Sequence, residues 1–529
     1  MHPRWFWRCL LAAGLAWAAP CWAQSALLPE GVASATAKPR PRVGLVLSGG
    51  GARGFAHIGV LRALQQMRVP VDVVVGASMG AVVGGAFAAG RSVDELEGLA
   101  LRTDWTGILA DRPQRAALSY RRREDDLLLP SRIEFGLTAQ GVQLPASAAG
   151  NQALESLLRH MLPALSAETP AARLALPYRA VATDLRTGEL VELGAEPLLV
   201  SLRASLAVPG LFAPLPVNGR LLVDGGLVRN LPVDIARALG AEVVIAVNVG
   251  TPLSDDSSLG SAIGVAQQMI NILTEQNVQR SLRELGPADV LIAPVLDGIS
   301  FVDFEAGTRA MAAGERAARA VSGRLAALAL PATDYSAAEA LRQGLQAARP
   351  STDKQALVSL EVTGTQHANA TALANELGLA PGDPVTVADA RAAADRLYGR
   401  GDFERVDVQV REVAAGRSIV LTPVEADWRH SRVRVGLELN SDFHDEHRFS
   451  VAAMHVLSWL NPWGGELRTL ARLGSTRHLG TEWWQPLGPG SPWFGSLAVA
   501  HEADALDAYS QRLKVMRVGV SSNTATAAL

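Results

Sequence analysis

Between Val43 and about Leu325 the chain alternates short apolar runs with segments of helical spacing. The runs VGLVLS (43–48), VDVVVGAS (71–78), YRAVATDL (178–185), RLLVDGG (220–226) and EVVIAVNVG (242–250) are rich in Val, Leu and Ile and show little alternation. Strands of that kind are buried on both faces, which predicts an α/β domain with a central, largely parallel sheet covered by helices.

The pattern changes twice further on. LVSLEVTG (357–364) reads as a strand, ATALANELG and VADARAAADRLYGRG as helices, and RVDVQVREV with SIVLTPV as a hairpin, which together predict a small α+β domain over 357–425. From Trp428 onward short alternating segments follow, among them RVRVGLELN, RFSVAAMHVLSWL and GELRTLARLG. Six of the eleven tryptophans fall in this part, as expected of aromatic girdles on an antiparallel membrane barrel. The stretch has room for about six or seven strands of ~10 residues, whereas closed barrels begin at eight, so an incomplete barrel over 426–529 is expected.

Composition narrows the function classes. Only 19% of residues are charged and the formal net charge is −3, which argues against a nucleic-acid-binding protein and against a disordered one. The start, MHPRWFWRCLLAAGLAWAAPCWAQ, has Arg4 and Arg8 before an apolar run and ends on Cys21-Trp22-Ala23, the layout of a secretory signal peptide over 1–23. An Ala/Pro/Ser-rich linker over 24–41 follows. Both cysteines, Cys9 and Cys21, fall within the signal segment, so the exported chain is expected to hold no disulfide, no thiolate nucleophile and no cysteine metal site. No metal or organic cofactor is expected. A helix-and-linker stretch over 326–356, ending in AARPSTDK, separates the α/β domain, 42–325, from the rest.

The chemistry concentrates at two glycine-bearing turns. VGLVLSGGGARGFAHIGVLRAL (43–64) runs from strand to glycine cluster to amphipathic helix, with the spacing Gly49-x-Gly51-x-x-Gly54. Gly76-Ala77-Ser78-Met79-Gly80 then follows an apolar strand and opens a helix, the context of a nucleophile elbow. In so tight a turn the positions two away from the serine must lack side chains, and Ser78 is held with its hydroxyl exposed at the edge of the sheet.

A nucleophilic serine needs a base. Between 42 and 325 the histidines are His57, among apolar helix residues, and His160, on a helix surface, and neither suits a triad. A partly desolvated carboxylate can serve instead, since burial raises its pKa. Asp224 in RLLVDGGLVRNLP, followed by Gly225 and Gly226, is the leading candidate; Asp184 in VATDLRTGE is the rival. The glycine cluster could cradle a dinucleotide, with Asp72 near the spacing for a ribose contact. Asp72, however, begins its strand, and that strand leads into Ser78. The N–H groups of the Gly49–Gly54 loop, those of Gly50 and Gly51 above all, are therefore expected to face an oxyanion, with Arg53 adding positive charge or binding a phosphate.

In that order, GGGARGFAHIGVL, GASMG, RASLAVPGLFAPL and VDGG resemble the patatin-like phospholipases, serine lipid hydrolases with a Ser-Asp dyad. The resemblance implies Ser78 as nucleophile, Asp224 as general base, and Gly49, Gly50, Gly51, Ala52, Arg53 and Gly54 as the oxyanion loop, with Gly76, Gly80, Gly225 and Gly226 as motif glycines. It also likens 357–425 to POTRA domains and the remainder to the barrels of patatin-type autotransporters, although SSNTATAAL lacks the terminal aromatic of such barrels. The implied substrate is membrane phospholipid, hydrolysed through an acyl-serine, and the implied location the outer membrane or cell surface. VPGLFAPL could line an acyl pocket. RRREDD (121–126) could meet anionic headgroups or simply form a solvated face. A non-enzymatic outer-membrane secretion or assembly protein is the alternative from another class. The oligomeric state is not readable from the sequence.

Overall fold

The computed structural model describes residues 40–109, 115–131, 133–144, 151–174, 176–251, 253, 260, 262–344, 353–441, 447–510 and 513–529. The expected signal peptide and most of the first linker lie outside the described residues. No helix among the described residues is long and apolar enough to cross a membrane.

The first sheet is mixed, with a parallel core. Val290–Ile292, Val243–Val247, Val43–Leu47, Val73–Ala77 and Tyr178–Asp184 lie side by side and parallel. Arg220–Asp224 and Leu215–Val217 extend it antiparallel, and Leu190–Leu193 folds back on Tyr178–Asp184. The Val/Leu/Ile runs predicted this burial: all five residues of Val43–Leu47, Val73–Ala77 and Val243–Val247 are buried. On one face Leu45, Leu47 and Val74 pack with helices Ala56–Gln66 and Met79–Ala88; on the other Val46, Val73, Val75 and Val181 pack against Leu231, Ile235 and Val278. Register sets the level of the functional turns. Ala77 lies opposite Val181, and the next residue, Ala182, lies opposite Asp224, so Ser78 and Asp224 emerge at the same height across Tyr178–Asp184. The Asp72 carboxylate accepts the Val43 N–H at 2.7 Å and ties the entrances of the two central strands.

The second sheet belongs to the small α+β domain, in the order Pro384–Val385, Gln355–Val362, Gly416–Glu425, Phe403–Val413. Gln355–Val362 runs parallel to Gly416–Glu425, and the last two strands form the expected hairpin. Helices Ala370–Glu376 and Val387–Tyr398 cover it, with Leu373, Ala390 and Leu397 against Phe403, Ile419 and Leu421. Before this domain, the helix-and-linker stretch contains the helix Ala332–Gln343, whose Arg342 donates to the Phe87 carbonyl at 2.6 Å and stacks on the Phe87 ring.

The third sheet is antiparallel and contains more than the C-terminal segment. Six strands, Ser431–Ser441, His447–Leu457, Glu466–Gly474, Arg477–Pro486, Phe494–Ser510 and Leu513–Ala528, form a meander. Two further strands come from the α/β domain: Ile133–Thr138 pairs with Ser431–Ser441, and Gly141–Gln143 closes the hairpin. Side chains alternate across the pleat. Arg432, Met454, Val456, Glu466 and Arg468 are buried on one face, while Leu437, Phe449, Val451, Leu473 and Leu479 are exposed on the other.

Both readings of RRREDD require correction. Helix Tyr120–Leu128 carries Arg121, Arg122 and Asp125, all buried, against the charged face of the third sheet. Arg122 pairs with both Asp125 and Glu466; Arg121 reaches Glu466 at 3.3 Å and Glu482 at 2.9 Å; Arg468 reaches Asp125 at 3.0 Å. Arg434 adds Asp126 at 3.1 Å. Arg121, Arg122 and Asp125 meet neither headgroups nor solvent, because each finds opposite charge hundreds of residues away in sequence, whereas Arg123 of the same run is exposed.

A buried network is most sensitive to loss of one partner, since the remaining charge is left without compensation. Glu466→Ala is expected to cost ~3–5 kcal/mol locally, read as faster hydrogen exchange over 120–138. Asp94→Ala, which removes an exposed partner of Arg62, should cost at most ~1 kcal/mol. Equal protection in the two variants would overturn the assignment of this network as a structural lock.

Candidate active site

The site is built where the buried strands Val43–Leu47 and Val73–Ala77 end. Ser78 sits at φ 53° and ψ −126°, a region a non-glycine residue rarely occupies and which costs ~1–3 kcal/mol. The close approach that enforces it is visible at the flanking glycines. A methyl at residue 76 would lie 2.5 Å from the Gly80 carbonyl oxygen, and one at residue 80 would strike the backbone of Leu47 and Ser48. The Ser78 N–H donates to Ser205 Oγ at 3.0 Å, so the ASLAVPG segment pins the elbow from below. The residues alone did not reveal this role for Ser205.

Asp224 ends the strand Arg220–Asp224, buried. Its Oδ1 accepts the Gly226 N–H at 2.7 Å, and its own N–H donates to the Ala207 carbonyl at 2.9 Å. Burial pushes its pKa up to about 6, against the opposing pull of the Ser78 hydroxyl and the Gly226 N–H. Ser78 Oγ lies near enough to stabilise the carboxylate, yet it is buried without a well-formed hydrogen bond. Catalytic hydrogen bonds are often poorly aligned before substrate arrives. Gly225 is needed because a side chain there would strike the Val181 backbone.

The other candidate bases are engaged elsewhere. His57 is fully buried, with Nε2 2.8 Å from the Ser48 carbonyl oxygen, and burial lowers its pKa to about 4. Asp184 accepts the Arg186 N–H at 3.0 Å within its hairpin turn. His160 is exposed on the helix Asn151–Met161.

The glycine loop separates into donors already used and donors left over. Gly49 N–H donates to Asn230 Oδ1 at 2.9 Å, Ala52 N–H to the Phe301 carbonyl at 2.8 Å, and Arg53 N–H to the Gly50 carbonyl at 3.2 Å. Gly54 packs on Met79, where a methyl would collide. Among the described residues, the N–H groups of Gly50 and Gly51 have no acceptor, and neither has that of Met79 at the head of the helix after the serine. Met79 is a donor that the sequence reading passed over, although its position directly after Ser78 points to it.

Arg53 has a structural role that its place in the glycine loop did not announce. Its guanidinium is buried and donates to the carbonyls of Val249, Leu296 and Ile299 at 2.9–3.0 Å. Through Nε and Nη1 it braces the loop. Two asparagines finish the support. Asn230 N–H donates to Asn277 Oδ1 at 2.7 Å, and Asn277 Nδ2 donates to the Gly226 carbonyl at 2.8 Å. This amide relay links the glycine loop, the Asp224 turn and the helix Ala262–Leu282; isolated asparagines carry no local signal of such a role.

Gly50, Ser78, Asp224, Leu227, Ile270 and Phe301 line one cleft. Val208 and Pro209 of the VPGLFAPL segment also reach it, whereas Phe212 and Leu215 pack into the core. No cluster of His, Cys, Asp and Glu among the described residues could hold a metal ion. A hydroxyl held in strain, a carboxylate able to take its proton, and unbonded N–H groups above them are the parts of acyl transfer to serine.

Residues 45–237 match the profile of the patatin-like phospholipase family. Over 246 residues the chain is 37% identical to an uncharacterized NTE family protein of Mycobacterium tuberculosis, covering 46% of this chain and 56% of that protein. It is 35% identical over 211 residues to patatin-like phospholipase domain-containing protein 7 of Mus musculus, covering 40% of this chain and 14% of that one. For patatin-like phospholipase domain-containing protein 6 of Homo sapiens the figures are 34% over 218 residues, 41% and 14%. The chain thus spans about half the length of the mycobacterial relative and a small part of the mammalian ones. Over residues 45–237 the chain is thus similar to the patatin-like phospholipases.

The raised pKa of Asp224 has a stability consequence with a definite sign. Its folded pKa of about 6 lies above the ordinary 3.8, so the ionised form is disfavoured by folding; the cost is absent below pH 3.8 and complete above pH 6. Asp224→Asn should therefore stabilise the protein above pH 6, by up to ~3 kcal/mol, with the gain fading toward pH 4. Thermal unfolding of both proteins across that range checks it, and an equal gain at pH 4 and pH 7.5 would contradict it.

Proposed function

We propose that the protein is a lipid acyl hydrolase using Ser78 and Asp224 as a dyad. The observation that carries the reading is Ser78, strained at its elbow beside a buried carboxyl of raised pKa and below unbonded N–H groups. Asp224 accepts the hydroxyl proton as Ser78 Oγ attacks the ester carbonyl. The N–H groups of Gly50 and Gly51, with that of Met79, stabilise the oxyanion. Collapse breaks the ester C–O bond, and the proton on Asp224 passes to the leaving alcohol. Water, deprotonated by the same carboxylate, then adds to the acyl-serine; the bond to Ser78 Oγ breaks, Asp224 returns the proton to that oxygen, and the fatty acid is freed.

Phospholipid is the proposed substrate class, supported by the family match and by the apolar side of the cleft. An outer-membrane location is proposed as well. It is supported by the signal-peptide layout at 1–23 and by a third sheet whose charges face inward and whose outer face is apolar. The likeness of 357–425 to a POTRA domain belongs to the same proposal, and its helices over a mixed sheet are compatible with it. A purely scaffolding role would leave the strain at Ser78 and the unfavourable burial of Asp224 without purpose.

Two outcomes are expected with the full chain. A fluorophosphonate should label the native protein at Ser78 and leave Ser78→Ala unlabelled. On defined phospholipids, Asp224→Asn should lower kcat by ~10²–10⁴-fold, and the native kcat/KM should rise with pH through about 6, where Asp224 ionises, to a plateau. Full turnover by the Asn variant would remove Asp224 from the mechanism.

A further inference from the structure

The helix Ala262–Leu282 presents two different faces at the mouth of the cleft. Gln267, Ile270, Asn271 and Thr274 look into it beside Ser78 and Asp224. Val265, Met269, Ile272 and Leu273, spaced by three and four residues along another side, are exposed; Met269 is 61% and Leu273 49% accessible. No Asp, Glu, Lys or Arg occurs from Ala262 to Thr274, and Glu275 opens the charged remainder of the helix. An exposed helix without charge over several turns is unusual, because solvated faces are normally polar.

The apolar exposure continues around the rim. Val302, which follows the cleft-lining Phe301, and Leu253, two residues after the cleft-lining Thr251, are both more than half exposed. The apolar surface thus adjoins the opening through which a lipid must reach Ser78.

We propose that the Val265–Leu273 stripe, with Val302 and Leu253, seats the mouth of the cleft on the surface of a lipid bilayer. This rests on the lipid hydrolase reading above and adds to it the route by which substrate arrives. The stripe enters the acyl region of one leaflet, and the inner side of the same helix receives the ester drawn from it. Since the stripe carries no charge, docking depends on apolar burial and is insensitive to salt and to anionic lipid. Asn277 anchors the far part of the helix to the Asp224 turn through the Gly226 carbonyl, which fixes the stripe relative to the reacting groups.

The test compares the full chain with the double variant Met269→Ser/Leu273→Ser on two substrates. Both substituted side chains point away from the cleft. On a short-chain ester dissolved as monomers the variant should keep the native kcat/KM. On phosphatidylcholine vesicles its rate should fall at least tenfold, equally at low and high salt. Equal losses on both substrates, or none on vesicles, would overturn the proposal. So would a change of oligomeric state with the vesicle rate preserved, which would make the stripe a subunit contact. Should the native chain hydrolyse neither substrate, the dyad reading fails, and docking is judged by a polarity-sensitive fluorophore on Met269→Cys made together with Cys9→Ser and Cys21→Ser. A blue shift on adding phosphatidylcholine vesicles supports docking, and an unchanged spectrum refutes it.

Discussion

The structure around the site depends on keeping one carboxyl group out of water next to a serine hydroxyl. Asp224 gains little from its surroundings: a single short N–H contact from Gly226, a neighbouring hydroxyl, and otherwise burial that opposes its charge. Such a group stays in place only if its backbone has no alternative. Its strand is paired through Ala182, its N–H is bound to Ala207, and Thr183 donates to its carbonyl at 2.9 Å. The unfavourable side chain is held by a favourable main chain.

Much of this was legible locally, and the reason is steric. Gly76, Gly80 and Gly225 each meet backbone where a methyl would stand, so the glycines in GASMG and VDGG mark close approaches that any chain folding this way must respect. Buried parallel strands are legible for a similar reason, since both faces demand apolar residues. The direction of Arg220–Asp224 was not legible. It runs antiparallel to its neighbour, and it is register rather than a shared strand end that brings Asp224 level with Ser78.

What stayed hidden was long-range pairing. Arg53 beside glycines gives no sign that its Nε and Nη1 are taken by three carbonyls from two distant loops. RRREDD looks like a solvated run because the charges that neutralise it, Glu466, Arg468 and Glu482, lie more than three hundred positions away. The hairpin 133–143 was missed for the same reason: its short strands acquire a partner only when Ser431–Ser441 is present. A local window reports what a residue avoids, whereas ion pairs and borrowed strands depend on what it meets.

The two kinds of support differ in what they constrain. Ion pairs between helix Tyr120–Leu128 and the third sheet join parts of the molecule that are not reacting, and their strength lies in how costly one broken partner is. At the site, neutral amides do the joining: Asn230 holds Gly49, Asn277 holds Asn230 and Gly226, and no added charge stands beside Asp224 in this relay. Amides suit that position because a cation in their place would draw the Asp224 pKa back down and weaken it for the proposed role as base. An anion there would raise the pKa further and leave the carboxyl protonated at neutral pH. Neutral connectors therefore fix the glycine loop against the Asp224 turn while leaving burial to set the proton affinity of that carboxyl.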